Sequence, residues 1–305
     1  MRILFLGTGG SVPTEGRGSP CIALRRENEL LLFDCGEGTQ RQLTFAKIRS
    51  GNLSRIFITH LHGDHVLGLA GLLQSLSLSQ RTRPIQLFGP KGIGKFIEAL
   101  GQTLHFALSF DLSVEEITGE GRVFETNQYA VDACKTDHDN ILSLGYVFEE
   151  KWRPGHFFPE KCVKLGVPEG PLWKKLQSGE SIKLENGNIV TAEMVLGPKR
   201  AGRKIVYTGD TRPNENIIAL SSGADALIHD STYDDSLLHK AIEYGHSTAS
   251  QAAEVAKQAK VKLLILTHIS NRYEHDEVLL EQAKKIFPDT IVARDFLEIN
   301  VPQVE

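Results

Sequence analysis

Between two apolar runs, Leu53 to Thr59 and Val66 to Leu78, the chain reads His60-Leu61-His62-Gly63-Asp64-His65. The first run is short and ends where the polar residues begin, so it predicts a buried strand. The second has the length of a helix, with Asp64 as its cap. In extended chain, side chains two apart point the same way, so His60 and His62 face one side. Gly63 permits a tight bend that swings Asp64 and His65 to a different direction. Four ligand-type side chains within six residues, delivered at a strand end, supply donors for two metal ions. Imidazole and carboxylate suit zinc, or manganese and iron where oxygen donors dominate.

The arrangement is echoed later in the chain. Residues 55–61 (RIFITHL) resemble 262–269 (KLLILTHI), each a strand delivering Thr then His. Residues 30–36 (LLLFDCG) resemble 204–210 (KIVYTGD), each a strand delivering Asp beside Gly. This weak duplication predicts two β-rich halves packed face to face, with both sets of polar residues emerging at one rim. Further strands are predicted over 2–7, 19–24, 29–33, 84–88, 124–132, 142–149, 226–228 and 291–293. Helices are predicted over 39–48, 94–101, 248–258 and 275–286. The stretch Gly7-Thr8-Gly9-Gly10 lacks a dinucleotide fingerprint, because Val12 stands where the last glycine is needed. It reads as a tight turn beside the metals.

Residues 151–175 break the pattern with Pro154, Gly155, Pro159, Gly166, Pro168, Gly170 and Pro171, and read as an excursion from the domain. The segment carries six Lys/Arg (Lys151, Arg153, Lys161, Lys164, Lys174, Lys175) against Glu160 and Glu169. It also holds both tryptophans, Trp152 and Trp173, with Phe157 and Phe158. Basic side chains among aromatics suit a structured RNA recognised by shape. The same aromatics can instead pack the arm on itself or on a second subunit. Residues 197–204 add four more basic side chains.

The whole chain gives no electrostatic case for nucleic acid, since 34 Lys/Arg stand against 38 Asp/Glu for a net charge of −4. A polyanion therefore needs a local basic patch. No apolar run approaches the roughly 20 residues that cross a bilayer, and the opening RILFLG is short for a signal peptide. The expectation is no membrane and a cytoplasmic location. The four cysteines are far apart and form no CxxC, which argues against a disulfide framework and a four-thiolate zinc site.

The stretch HLHGDH resembles the HxHxDH signature of the metallo-β-lactamase superfamily. FLGTGGSVPT at Phe5 to Thr14, LLFDCGEGTQRQ at Leu31 to Gln42, YTGDTRP at Tyr207 to Pro213 and LTHISNRY at Leu266 to Tyr273 are together similar to ribonuclease Z, the family of tRNA 3′-processing endonucleases. The likeness covers essentially the whole chain. It implies an α/β fold, a four-layer αββα metallo-β-lactamase sandwich forming one domain over 1–305, with an inserted flexible arm at 151–175 that grips tRNA. It also implies a homodimer with two zinc ions per subunit and precursor tRNA as substrate. One zinc would be held by His60, His62 and His138, the other by Asp64, His65 and His268, with Asp210 bridging. Asp34, at a strand end, looks like support for the ligand loop.

For catalysis the resemblance implies that Asp64 orients the attacking water and takes its proton. His246, in Gly245-His246-Ser247-Thr248, resembles the family's HST motif and is the candidate proton donor to the leaving oxygen. Asp230 is its candidate partner. The family pattern there is often His-Glu-Ala-Thr, whereas this chain reads His229-Asp230-Ser231-Thr232, one methylene shorter with the charge retained. The rival reading is a superfamily phosphodiesterase or other hydrolase of small substrates. Too few residues follow His268 for the helical substrate domain of glyoxalase-type thioesterases, and the interval from Asp210 to His268 leaves little room for the large insert of bigger nucleases. A non-catalytic RNA-binding member would be marked by a missing ligand, and none is missing.

Overall fold

The computed structural model describes residues 1–105 and 107–303. Its larger unit comprises Met1–Glu149 and Lys204–Pro302. One seven-stranded sheet runs in the order Glu298–Asn300, Arg2–Gly7, Cys21–Arg26, Glu29–Phe33, Leu53–Phe57, Ile85–Pro90, Leu112–Ile117. A second runs Thr290–Val292, Leu264–Thr267, Ala226–Asp230, Lys204–Tyr207, Ser143–Glu150, Tyr129–Thr136, Gly121–Glu125.

The sequence explains why the sheets stack. Successive side chains of a strand face opposite sides. In Arg2–Gly7, Ile3 and Phe5 enter the cluster between the sheets, while Leu4 and Leu6 enter the cluster under the helices. Strands buried on both faces therefore read as continuous apolar runs. The inter-sheet layer includes Phe33, Phe57, Phe88, Tyr146, Phe148 and Tyr207. Each such ring, fully buried, contributes about 2–3 kcal/mol from apolar area. Helices Thr39–Phe45 and Gly68–Leu78 cover one outer face, and Glu215–Ser221, Ala249–Ala259 and Glu277–Lys284 the other. The result is the four-layer αββα sandwich.

Three local expectations change. Asp64 does not cap the long helix. A first turn, Gly63–Val66, contains it, and the N-cap residue His62 makes no side-chain cap bond. Asp64 Oδ2 instead accepts from the backbone N–H of Ser11 at 2.8 Å. Gly9–Gly10 is a short strand parallel to Ile269–Ser270 rather than a tight turn. Strands Leu112–Ile117 and Glu298–Asn300 also exist, the latter closing the first sheet on the chain's opening strand.

The smaller unit is Glu150–Arg203 and extends well past Lys175. It contains helices Pro159–Lys164, Pro171–Gln177 and Ala192–Val195 and a hairpin of Ile182–Lys183 with Ile189–Val190. Cys162, Val167, Leu176, Ile182, Val190 and Val195 form its own core, with Phe157 and Trp173 packed against it. Trp173 Nε1 donates to the Val167 carbonyl at 3.1 Å. These two aromatics thus hold the unit together, while Trp152 is 66% exposed. Arg203 is buried in a two-pronged pair with Glu150, both contacts at 2.7 Å. The unit carries ten Lys/Arg against six Glu, and Lys164, Lys174, Lys175, Lys183 and Lys199 are exposed.

Candidate metal centre

The site grows from strand ends. Leu53–Phe57 and Leu264–Thr267 lie in the two facing sheets, and each runs on into a histidine, His60 and His268. Asp210 follows Lys204–Tyr207, and His138 follows Tyr129–Thr136. Asp137 pairs in a β-bridge with Arg212, which brings the His138 and Asp210 segments together.

Asp210 Oδ2 is the hub. It lies 3.2 Å from His268 Nε2, 3.3 Å from His65 Nε2, 3.8 Å from His60 Nε2 and 3.9 Å from His138 Nε2. His60, His62 and His138 have ligand atoms within 4.8 Å of one another, as do Asp64, His65 and His268. His138 Nε2 and His62 Nδ1 are 3.2 Å apart. Asp64 Oδ2 is 3.5 Å from His268 Nε2 and 3.6 Å from His65 Nε2. All seven residues expected to bind metal therefore converge on one point.

The donor chemistry fits cations. His60 Nε2, His65 Nε2, His268 Nε2 and Asp210 Oδ1 are buried without a hydrogen-bond partner. Buried polar atoms left unpaired are costly, so four at one point mark a site for a ligand. The protein's own charges prepare it further. Burial, reinforced by His65, holds His60 well below the usual imidazole range, the neutral form a metal needs. Burial opposes ionisation of Asp210, but His268 and His65 overcome it and hold the carboxyl well below its ordinary range. Asp64 is likewise lowered against burial, through the proximity of His268 and the charge of His65.

Supporting contacts orient the rings. Asp34 Oδ2 takes His65 Nδ1 at 2.8 Å and the Tyr207 hydroxyl at 2.8 Å. His138 Nδ1 donates to the Gly245 carbonyl at 2.8 Å. Asp230 reaches His246 despite its shorter side chain, with Oδ2 2.8 Å from Nδ1. Burial lowers His246, but Asp230 more than offsets it and raises the imidazole to about 9. The His246 ring stacks on His268 at 5.1 Å between centroids.

Several contributors were not singled out from sequence. Ser11, Tyr207 and Gly245 act through single hydrogen bonds across long chain separations, and Thr59 and Thr232 each join an aspartate to a ligand histidine, contacts that no local pattern reports. The likeness of Asp34 to Asp210 also resolves differently. Asp34 supports His65, as Asp230 supports His246, whereas Asp210 sits at the hub. Gly10 has a packing role, since a Cβ there would stand 2.7 Å from the His268 ring. Gly10→Ala is expected to displace that ring and weaken metal binding by about tenfold or more. Titration against a competing chelator would read the change, and parental affinity would show that the ring has room to move.

A four-layer sandwich with histidines and aspartates at one rim defines the metallo-β-lactamase superfamily. The model described as a beta-lactamase superfamily domain matches residues 175–269, and that of anti-Pycsar protein Apyc1 matches residues 1–152. Ribonuclease Z of Methanothermobacter thermautotrophicus is 46% identical over 99% of this chain and 97% of the relative. Ribonuclease Z of Bacillus licheniformis is 43% identical, with 99% of each chain covered. The crystal structure of human tRNase Z, short form, superposes with a TM-score of 0.74 at 32% identity, covering 99% of this chain and all of that one. The chain belongs to the ribonuclease Z family.

Proposed function

We propose that this chain is a metal-dependent endoribonuclease that cuts the 3′ trailer from precursor tRNA and leaves a 3′-hydroxyl on the tRNA. The observation that carries the reading is the hub at Asp210 Oδ2, within 3.9 Å of four histidine nitrogens, in a chain of this family. His60, His62 and His138 would hold one zinc ion, Asp64, His65 and His268 the other, and Asp210 both. When bound, such a pair lowers the pKa of water and offsets charge on a phosphoryl group.

The protein groups do the rest. The Ser11 backbone N–H fixes Asp64 Oδ2 at 2.8 Å, so this carboxylate orients the attacking water and accepts its proton. Attack at phosphorus breaks the bond to the 3′ oxygen of the tRNA, which must gain a proton. His246 supplies it from Nε2, with Nδ1 held by Asp230. The trailer departs with a 5′-phosphate. Exposed lysines of Glu150–Arg203 bind tRNA phosphates.

We further place the enzyme in the cytoplasm as a homodimer, to be checked by sedimentation. Its described cysteines are free and buried, in keeping with a reducing compartment. Among the described residues no helix is long and apolar enough to cross a membrane.

The test is end-mapping of products from a 3′-extended precursor tRNA, beside hydrolysis of bis(p-nitrophenyl) phosphate and metal analysis. Turnover of the small diester with no cut at the tRNA 3′ end would favour the small-substrate hydrolase. For His246→Ala, metal content is expected to hold while the single-turnover rate falls roughly 10²- to 10⁴-fold. An unchanged rate would remove His246 as proton donor.

A further inference from the structure

Two threonines outside the ligand set sit in the same arrangement, Thr59 just after a strand of the first sheet and Thr232 just after a strand of the second. Thr59 Oγ1 is 3.0 Å from each oxygen of Asp34 and 3.0 Å from His60 Nδ1. Thr232 Oγ1 is 2.7 Å from Asp230 Oδ1 and 2.8 Å from His268 Nδ1. Both threonines and both aspartates are buried. Each aspartate also takes a second histidine directly, Asp34 binding His65 and Asp230 binding His246, both at 2.8 Å.

A hydroxyl has one proton and two lone pairs. Beside a carboxylate collecting donors, that proton goes to the carboxylate, the stronger charge-assisted bond. The Asp34 carboxylate already accepts the Thr59 backbone N–H at 2.8 Å and the Tyr207 hydroxyl at 2.8 Å. The Asp230 carboxylate already accepts the backbone N–H groups of Thr232 at 2.9 Å and Thr211 at 3.1 Å. With its proton so committed, each threonine oxygen can only accept from the imidazole. His60 and His268 are then protonated on Nδ1, and their Nε2 lone pairs point at the hub, where both Nε2 atoms lack a protein partner.

We propose that Thr59 and Thr232 are positioning residues, each fixing the tautomer and ring rotation of one metal-ligating histidine, His60 and His268 respectively. The proposal rests on the metal-centre reading above. It assigns the two threonines to different ions. Loss of the Thr59 hydroxyl frees His60 but leaves His65 on Asp34, so it weakens the ion held by His60, His62 and His138. Loss of the Thr232 hydroxyl frees His268 but leaves His246 on Asp230, so it weakens the ion held by Asp64, His65 and His268.

The experiment uses the zinc-loaded protein and two Thr→Val variants, which keep the branched shape and lose the hydroxyl. Stepwise zinc removal by a competing chelator should show one site weakened about 10- to 100-fold in each variant, a different site in each. Thr59→Ser and Thr232→Ser should restore parental affinity. Histidine-labelled ¹⁵N spectra of the parent should show His60 and His268 protonated at Nδ1, a state that the serine variants should keep. That measurement does not depend on the valine variants folding. Parental zinc affinity at both sites in folded valine variants, or an unprotonated Nδ1 on either ring in the parent, would overturn the proposal. A parent that binds no zinc would overturn the metal-centre reading itself, a result distinct from either.

Discussion

Asp210→Ala is expected to abolish cleavage and to strip metal from the protein. Its Oδ2 lies between both groups of histidines, 3.3 Å from His65 Nε2 and 3.8 Å from His60 Nε2. If it bridges two ions as proposed, removing it would take a shared ligand from both at once. It also takes away the charge that, against burial and together with Asp34, raises His65 well above the ordinary imidazole range. Losing several kcal/mol of charge stabilisation at the reacting phosphoryl group corresponds to a rate fall of roughly 10³-fold or more. Asp210→Asn keeps the shape and loses the charge, so it should fail nearly as badly if charge is what matters. Plasma emission analysis of the purified variants reads the metal, and single-turnover cleavage reads the chemistry. Two tightly held zinc ions with normal cleavage in Asp210→Ala would remove this residue from the bridging role.

How much of this centre the sequence announces depends on whether a contact is local. His60, His62, Asp64 and His65 stand within six residues; period-two geometry faces His60 and His62 one way, and Gly63 turns the chain before Asp64 and His65. Asp210 and His268 follow apolar runs, so their placement at a sheet rim is legible too. The pairing of Asp34 with His65, or of Thr232 with His268, is set by which strands become neighbours, and no periodicity encodes that. The sandwich follows from continuous apolar runs that need cover on both faces. The short strands at its edges are harder to see. Glu298–Asn300 is only three residues long, two of them polar, and it exists because the strand Arg2–Gly7 offers it an edge. The arm shows the opposite error. Pro159 and Pro171 read as breakers, yet each sits at the first helical position of a short helix, where a missing N–H costs nothing. A unit built on six scattered buried side chains, with Phe157 and Trp173 packed against them, leaves no long periodic signal.

Replacing residues 150–203 with Asn-Gly is expected to spare small-substrate hydrolysis and cripple processing of precursor tRNA. The junction suits the operation. Ser143–Glu150 and Lys204–Tyr207 are antiparallel neighbours, and Glu149 lies directly opposite Lys204. A two-residue Asn-Gly loop closes such a pair as a hairpin. The removed residues have their own core, so the sandwich loses none of its three apolar clusters. Every residue of the metal centre, with Asp64, Asp230 and His246, lies in the retained unit. Hydrolysis of bis(p-nitrophenyl) phosphate needs only that centre and should stay within about threefold of the parent. Precursor tRNA is different, because a polyanion draws affinity from many phosphate contacts. Lys164, Lys174, Lys175, Lys183 and Lys199 are exposed on the removed unit, and the remaining chain is net negative. Losing several such contacts should raise KM for tRNA on the order of 10²-fold and flatten its salt dependence. Charge reversal at Lys161 and Lys164 should move both in the same direction by less. A folded, zinc-loaded deletion variant that processes tRNA at the parent KM would show that these lysines serve solubility or a subunit contact, and that the grip on RNA lies in the sandwich itself.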